Sequence, residues 1–332
     1  NVIRVSLRYA NMETLLEGYA ISLLPLTSFA VETYGDDPCE LFMPRVTASD
    51  EEYTKNELRL MAQMHKAIAI IQLKLEAQII QRQPEYRMDD RLLLDKIDLD
   101  AGTVTIDGKT YELLDKHFPT IDPDDPFALS AEETAVVERL RFSFKNSERL
   151  QRHTRFLLAE GSMYLAHNGN LLYHGCIPMT EKGDFATFKV NGRKLQARDF
   201  MDYLERLVRQ GFFSDDPALR QEGRDTMWYL WSGPLSPIFG KDKMATFERY
   251  FIAEKETHRE AKNPYYQFRD QAETVARILE AFGLNPETGH VVNGHVPVKV
   301  RKKESPVKAG GKLIVIDGGF AEAYQKTTGI AG

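Results

Sequence analysis

Cysteine is scarce: Cys39 and Cys176 are the only two in 332 residues. That is too few for a disulfide framework, so the chain reads as a protein of a reducing compartment, the cytoplasm. Long apolar runs are missing too. None approaches the roughly 20 residues that cross a bilayer, and no signal peptide stands at the front, so no membrane partner is expected. Positive charge is not in excess. The net charge of −6 argues against a general nucleic-acid binder but leaves room for a local cationic pocket. Internal repeats and low-complexity tracts are absent, and no HxxxH or HExxH string supplies a local metal motif. Neither end looks natural: the first residue is Asn1 rather than Met and the last are "TTGIAG". The chain is therefore expected to be a piece of a longer protein.

What is present is an ordinary globular balance, 42% hydrophobic and 28% charged, in a chain long enough for a well-buried core. The first part reads as helical. "IRVSLRYANMETLLEGYAISLLPLTSFAVETYG" has apolar residues at mixed helical spacing, with interruptions expected at Gly18 and Pro25. An acidic loop follows, and then a strong helix, "KNELRLMAQMHKAIAIIQLKLEAQIIQRQP". Its Met61, Met64, Ile68, Ile71 and Leu75 are three and four apart and share one face. "GTVTIDGKTYEL" predicts a hairpin turning at Asp107-Gly108. Ser130 and Glu133 spell a capping box that opens further helices to about Glu160. Residues 1–160 are thus expected to be mainly helical with one small hairpin.

From residue 161 the pattern changes. "SMYLAHNGNLLYHGCIP" is two apolar segments around Asn168-Gly169, a strong hairpin signal. "RDFMDYLERLVRQGFF" predicts an amphipathic helix, "MWYLWSGPLSPIFGK" an aromatic, turn-rich stretch, and "MATFERYFIAEKETHREAK" a helix. "AETVARILEAFGLNP" predicts a helix closed by Gly283. "GKLIVIDGGF" predicts a buried strand. Alternating strands and helices make 161–332 an α/β core.

Two histidines share one device. His174 in "LLYHGCIP" and His295 in "VVNGHVPV" each follow a β-type run and stand beside a glycine. Strand ends are where α/β folds hold ligands, glycine lets the backbone approach something bulky, and imidazole is the commonest neutral metal ligand. The plainer alternative, a hydrogen-bonded histidine in a loop, stays open for each. Cys176 reads as packing, because no general base is paired with it.

Taken in order, "LLYHGCIP", "WYLWSGP", "VNGHVPV", "LIVIDGGF" and "TTGIAG" resemble the back half of the metallophosphatase (calcineurin-like) superfamily. "HKAIAIIQLKLEAQII", "TFERYFIAEKETHREAKNPYY" and "KLIVIDGGFAEAYQKTTGIAG" are similar to segments of one branch, the class III fructose-1,6-bisphosphatases of Gram-positive bacteria. The likeness covers essentially the whole chain. It implies a four-layer α-β-β-α sandwich, of which 161–332 is the back half, with a mainly helical insertion before it. It implies a pair of divalent metals, most simply Mn²⁺, with His174 and His295 as ligands to one of them. Pro297 stands where many members carry a second histidine. The superfamily's GDxxDRG and GNHD or GNHE strings do not occur. Their ligands and the catalytic residues are expected upstream of residue 1, leaving this piece inactive alone.

The implied activity is hydrolysis of the 1-phosphate of fructose 1,6-bisphosphate, a step of gluconeogenesis. The implied partner is a sugar bisphosphate, and a homo-oligomer is compatible. Its second phosphate calls for cations, and Lys241, Lys243, Arg249, Lys255 and His258 are the candidates. An ordinary solvated helix is the plainer reading of the last three. Asp317 is a candidate acceptor for a free imidazole N–H. Tyr265 and Tyr266 either line a sugar pocket or pack in the core. A phosphoprotein phosphatase on the same scaffold and a non-catalytic regulatory module are the other two readings.

Overall fold

The computed structural model describes residues 1–46, 53–299 and 303–317. The terminal "GGFAEAYQKTTGIAG", part of the acidic loop (47–52) and part of the basic loop "VKVRKKESPVKAGGK" (300–302) lie outside the described residues. The chain divides into two compact units, Asn1–Ala159 with Ala245–Arg259, and Glu160–Met244 with Glu260–Gly332. The first unit takes in 245–259 because Phe247, Tyr250, Phe251 and Ile252 are buried in its core.

The first unit is built around one long helix. The helices α1 (Val2–Arg8), α2 (Leu24–Tyr34) and α3 (Lys55–Arg82) come first. Pro25 does not interrupt a helix. It opens α2, where its missing N–H leaves no hydrogen bond unmade. Thr54 and Glu57 close a reciprocal capping box at the start of α3, and Pro84 follows its end. The apolar stripe understates how far α3 is enclosed: every residue from Met61 to Gln72 is buried. Polar side chains on α3 therefore need partners. Lys66 Nζ donates to Asp37 and Asp115 at 2.6 and 2.7 Å. Lys74 Nζ donates to Glu133 at 2.7 Å. Strands β1 (Ile97–Asp98), β2 (Thr103–Ile106) and β3 (Lys109–Glu112) form an antiparallel sheet. Both turn residues, Asp107 and Gly108, have the positive φ that a tight two-residue hairpin needs. Helices α4 (Ala131–Asn146) and α5 (Glu148–Glu160) complete the run.

His65, also on α3, lies between the Phe42 carbonyl (Nδ1, 2.8 Å) and the Tyr250 hydroxyl (Nε2, 2.7 Å). Burial pushes its pKa down to about 4, with the charges of Arg4 and Arg8 adding to the effect against the Phe42 bond. The folded state prefers the neutral ring, so the unfolded chain takes up its proton first. This contribution is complete above the ordinary value near 6.5 and is lost as pH falls toward 4. A shift of that size corresponds to about 3 kcal/mol. Urea midpoints measured from pH 7 to 4.5 should fall steeply in the wild type and less steeply in His65→Gln. Parallel slopes would remove His65 from the account.

The second unit holds a five-stranded sheet. Its strands are β4 (Tyr164–His167), β5 (Asn170–Tyr173), β8 (His290–Asn293), β9 (Val307–Lys308) and β10 (Leu313–Val315), in the order β4-β5-β8-β10-β9. β5, β8 and β10 run parallel, and β4 and β9 are antiparallel edges. The result is a mixed α/β architecture. One face is buried: Leu171, Val291 and Leu313 align across the sheet and pack with Val275, Ile278 and Leu279 of the helix Ala272–Ala281. The other face carries a second apolar row, Leu165, Leu172, Val292, Ile314 and Val307, one residue from each strand in register. Leu165, Ile314 and Val307 of this row are exposed.

Two expectations for this region are corrected. The "MWYLWS" segment is helical, the end of α7 (Pro217–Ser232), which packs against α6 (Ala197–Phe213). The start signals were present: Pro217 in the first turn and Asp216 accepting from the Ala218 and Leu219 N–H groups. The stretch from Met244 is not one long helix. Only α8 (Thr246–Phe251) forms, and turns follow, so Lys255 and His258 are not helical. A further hairpin, β6 (Phe188–Val190) to β7 (Arg193–Leu195), turns on Asn191-Gly192, the same signal that marked Asn168-Gly169.

Candidate functional site

Parallel pairing puts the carboxyl ends of β5, β8 and β10 on one edge of the sheet. His174 is the first residue past β5, His295 the second past β8, and Asp317 the second past β10. All three line one open cleft of about 420 Å³, along with Asn293 and Gly294. The two imidazoles meet there. His174 Nε2 is 3.0 Å from His295 Nδ1, across 121 residues of sequence, and the ring centres are 4.9 Å apart.

The protonation pattern follows from the partners. His295 Nε2 lies 3.1 Å from the Phe239 carbonyl, which can only accept, so this nitrogen carries the proton. Burial, and next the neighbouring His174, hold the His295 pKa below its ordinary value and the ring neutral. Nδ1 is then a bare lone pair aimed at His174, whose Nε2–H donates to it. Two imidazole nitrogens 3.0 Å apart are near enough to be ligands of one cation. The donor set suits a borderline divalent metal. Among the described residues, no group of three or more His, Cys, Asp and Glu side chains converges to hold one.

The glycines explain the close fit. A Cβ on Gly175 would lie 2.3 Å from the Pro237 carbonyl oxygen, to which the Cys176 N–H donates at 2.8 Å. Only glycine lets the 236–238 loop come that near. The Gly294 N–H donates to the His174 carbonyl at 2.9 Å, tying the two strand ends together. His295 itself has φ 67, an uncommon conformation for a residue with a side chain. Beneath the pair, Asn293 Nδ2 donates to the Gly175 carbonyl (3.0 Å) and the Tyr265 hydroxyl (2.7 Å), which also contacts the Tyr173 hydroxyl.

A family model described as Firmicute fructose-1,6-bisphosphatase matches residues 1–332. The chain belongs to that family. It is 54% identical to the class 3 fructose-1,6-bisphosphatase of Alkaliphilus metalliredigens over 334 residues, and 53% identical to that of Clostridium acetobutylicum over 333. The Clostridioides difficile relative is 52% identical. Each alignment covers 100% of this chain and 50% of the relative, so the chain spans about half the length of the curated relatives it matches. No solved structure matches.

The remaining sequence candidates are scattered. Lys241 is in the second unit and pairs with Glu260 at 2.8 Å. The Lys243 N–H is held by Asp242. Arg249, Lys255 and His258 belong to the first unit, where Arg249 donates to the His258 carbonyl and His258 Nε2 to the Ile252 carbonyl. Asp317 is not the acceptor for His295, since the Phe239 carbonyl fills that role. Tyr265 is fully buried and Cys176 likewise, with burial pushing the thiol pKa up. Asn293, in the same "VNGH" string as His295, is a further residue of the site that carries no metal-ligand or strand-end signal in the sequence.

Proposed function

We propose that this chain contributes to a divalent-metal-dependent phosphatase that releases the 1-phosphate of fructose 1,6-bisphosphate. The observation that carries the reading is the convergence of His174 Nε2 and His295 Nδ1 at 3.0 Å, on the edge where three parallel strands end. Family membership supplies the substrate class. His174 and His295 would hold one metal of a Mn²⁺ pair. Such a pair lowers the pKa of a bound water and neutralises phosphoryl oxygens. Phe239 fixes His295 in the tautomer that leaves Nδ1 free, so His174 is the ring whose Nε2 would have to be free of its proton to hold a cation. Asn293 and Gly294 hold the two strand ends in register so that neither ring moves away. Water adds to phosphorus, the bond from phosphorus to the C1 oxygen breaks, and that oxygen takes a proton to leave fructose 6-phosphate. The four-layer sandwich is part of the same proposal. What supports it is the apolar row from Leu165 to Val307, of which Leu165, Ile314 and Val307 are exposed, which suits a second sheet packed face to face.

The test is phosphate release by the full-length protein. Fructose 1,6-bisphosphate with Mn²⁺ should yield inorganic phosphate and fructose 6-phosphate, and a chelator should abolish the reaction. Faster hydrolysis of a phosphopeptide, or activity indifferent to chelation, would overturn the assignment.

A further inference from the structure

Among the described residues, three buried hydrogen-bond donors of the second unit have no acceptor. Arg269 is 4% exposed, and neither its Nε nor its Nη1 has a hydrogen-bond partner. The Tyr266 hydroxyl is the third. Arg269 Nε is 3.7 Å from Asp270 Oδ1, too long for a hydrogen bond, and that carboxylate also serves Lys308. A folded protein rarely leaves a guanidinium this way, because a buried charge needs partners for its N–H groups.

Other cations crowd the same place. Arg269 Cζ lies 5.1 Å from the centre of the Tyr266 ring, and Lys262 Nζ lies 5.7 Å from it. Lys262 faces Lys241 across an isolated antiparallel bridge, a like-charge pairing that opposes stability. Burial, and then the charges of Lys299, Arg269 and Lys241, hold the Lys262 ammonium below its usual pKa. Glu260 answers Lys241, and Glu304 answers Lys308. Among the described residues no carboxylate pairs with Lys262. The cluster is also tied to the histidine pair. Gly240, at φ 62, lets the Tyr266 hydroxyl lie against its Cα, where a Cβ would be 2.7 Å from the oxygen. The preceding residue is Phe239, whose carbonyl orients His295.

We infer that Arg269, Lys262 and Tyr266 form a subsite for a phosphoryl group, the one that the substrate keeps. The assignment to substrate rests on the reading above of a sugar-bisphosphate phosphatase. A phosphoryl group brings several acceptor oxygens and a double negative charge. It would satisfy the orphaned Nε–H, Nη1–H and phenolic O–H together and relieve the lysine repulsion. Lys262 is exposed, so the cluster is open to solvent on its side.

The experiment uses the full-length protein stripped of metal and dialysed to equilibrium against radiolabelled inorganic phosphate. The wild type should bind it, and Arg269→Gln and Lys262→Gln should each weaken binding at least about tenfold, as expected on losing a charge-assisted contact. Lys262 is exposed, so its variant keeps the fold even if Arg269→Gln does not. No binding by the wild type, or equal binding by Lys262→Gln, overturns the subsite. With metal restored, Lys262→Gln should raise KM for fructose 1,6-bisphosphate by more than it lowers kcat. An unchanged KM beside lost phosphate binding would move the site to a separate anionic effector and overturn its assignment to substrate. Failure of the wild type to hydrolyse the bisphosphate would sink the functional reading alone, since the dialysis still decides the subsite.

Discussion

His174→Ala and His295→Ala should each lower kcat/KM for fructose 1,6-bisphosphate by about 10²-fold or more in the full-length protein, in line with losing a group that stabilises transition-state charge. Each should also lose bound metal, measured by elemental analysis of the purified protein. The two substitutions together should cost little more than either alone, because a metal centre with one ligand missing is already lost. The folding cost should be small for His174, which is exposed. His295 is half-buried and bonded to Phe239, so its variant needs a circular dichroism control. Full activity and full metal content in both variants would remove these residues from the site.

Glu133→Gln should destabilise the first unit by about 3–5 kcal/mol, the range seen when one partner of a buried ion pair is removed. Lys74 and Glu133 are both fully buried, with Nζ to Oε2 at 2.7 Å, and Lys74 also donates to the Thr120 carbonyl. The same Oε2 accepts the Ser130 N–H at 2.8 Å, so one carboxylate both caps α4 and neutralises α3. A neutral amide leaves the ammonium without its counter-charge. Lys74→Met should cost a similar amount by stranding the carboxylate, whose Oε1 already lacks a partner. The double variant Lys74→Met with Glu133→Gln should recover much of the loss. Urea midpoints measure all three. Additive losses in the double variant would mean that the pair does not act as a unit.

Local signals read well. The turns at Asp107-Gly108 and Asn168-Gly169, the limits of α3 and the Ser130–Glu133 capping box all depend on residues within a few positions of each other. Their physics is backbone conformation and first-turn hydrogen bonding, which neighbouring residues settle. The fold departs from the local pattern where that pattern is ambiguous or outvoted by tertiary contacts. "MWYLWS" lies beside the turn-forming "GPLSP", but the helix that starts at Asp216-Pro217 runs through it. The stretch after Phe251 has helix-forming residues, but its chain turns back to bring Ile252 and His258 together instead.

By itself, the order of residues determined that His174 and His295 each follow a strand and flank a glycine, that the family is recognisable along the whole chain, and that α3 begins and ends where it does. Tertiary structure alone decided that the two rings face each other at 3.0 Å, because that distance depends on β5 and β8 pairing in parallel at one register. It also decided which charges are answered. Lys74 finds Glu133 across 59 residues, while among the described residues Arg269 Nε comes no nearer to a carboxylate than 3.7 Å, at Asp270. A lysine or arginine has the same letter whether its partner is near or missing, and only the folded chain brings the partners within reach.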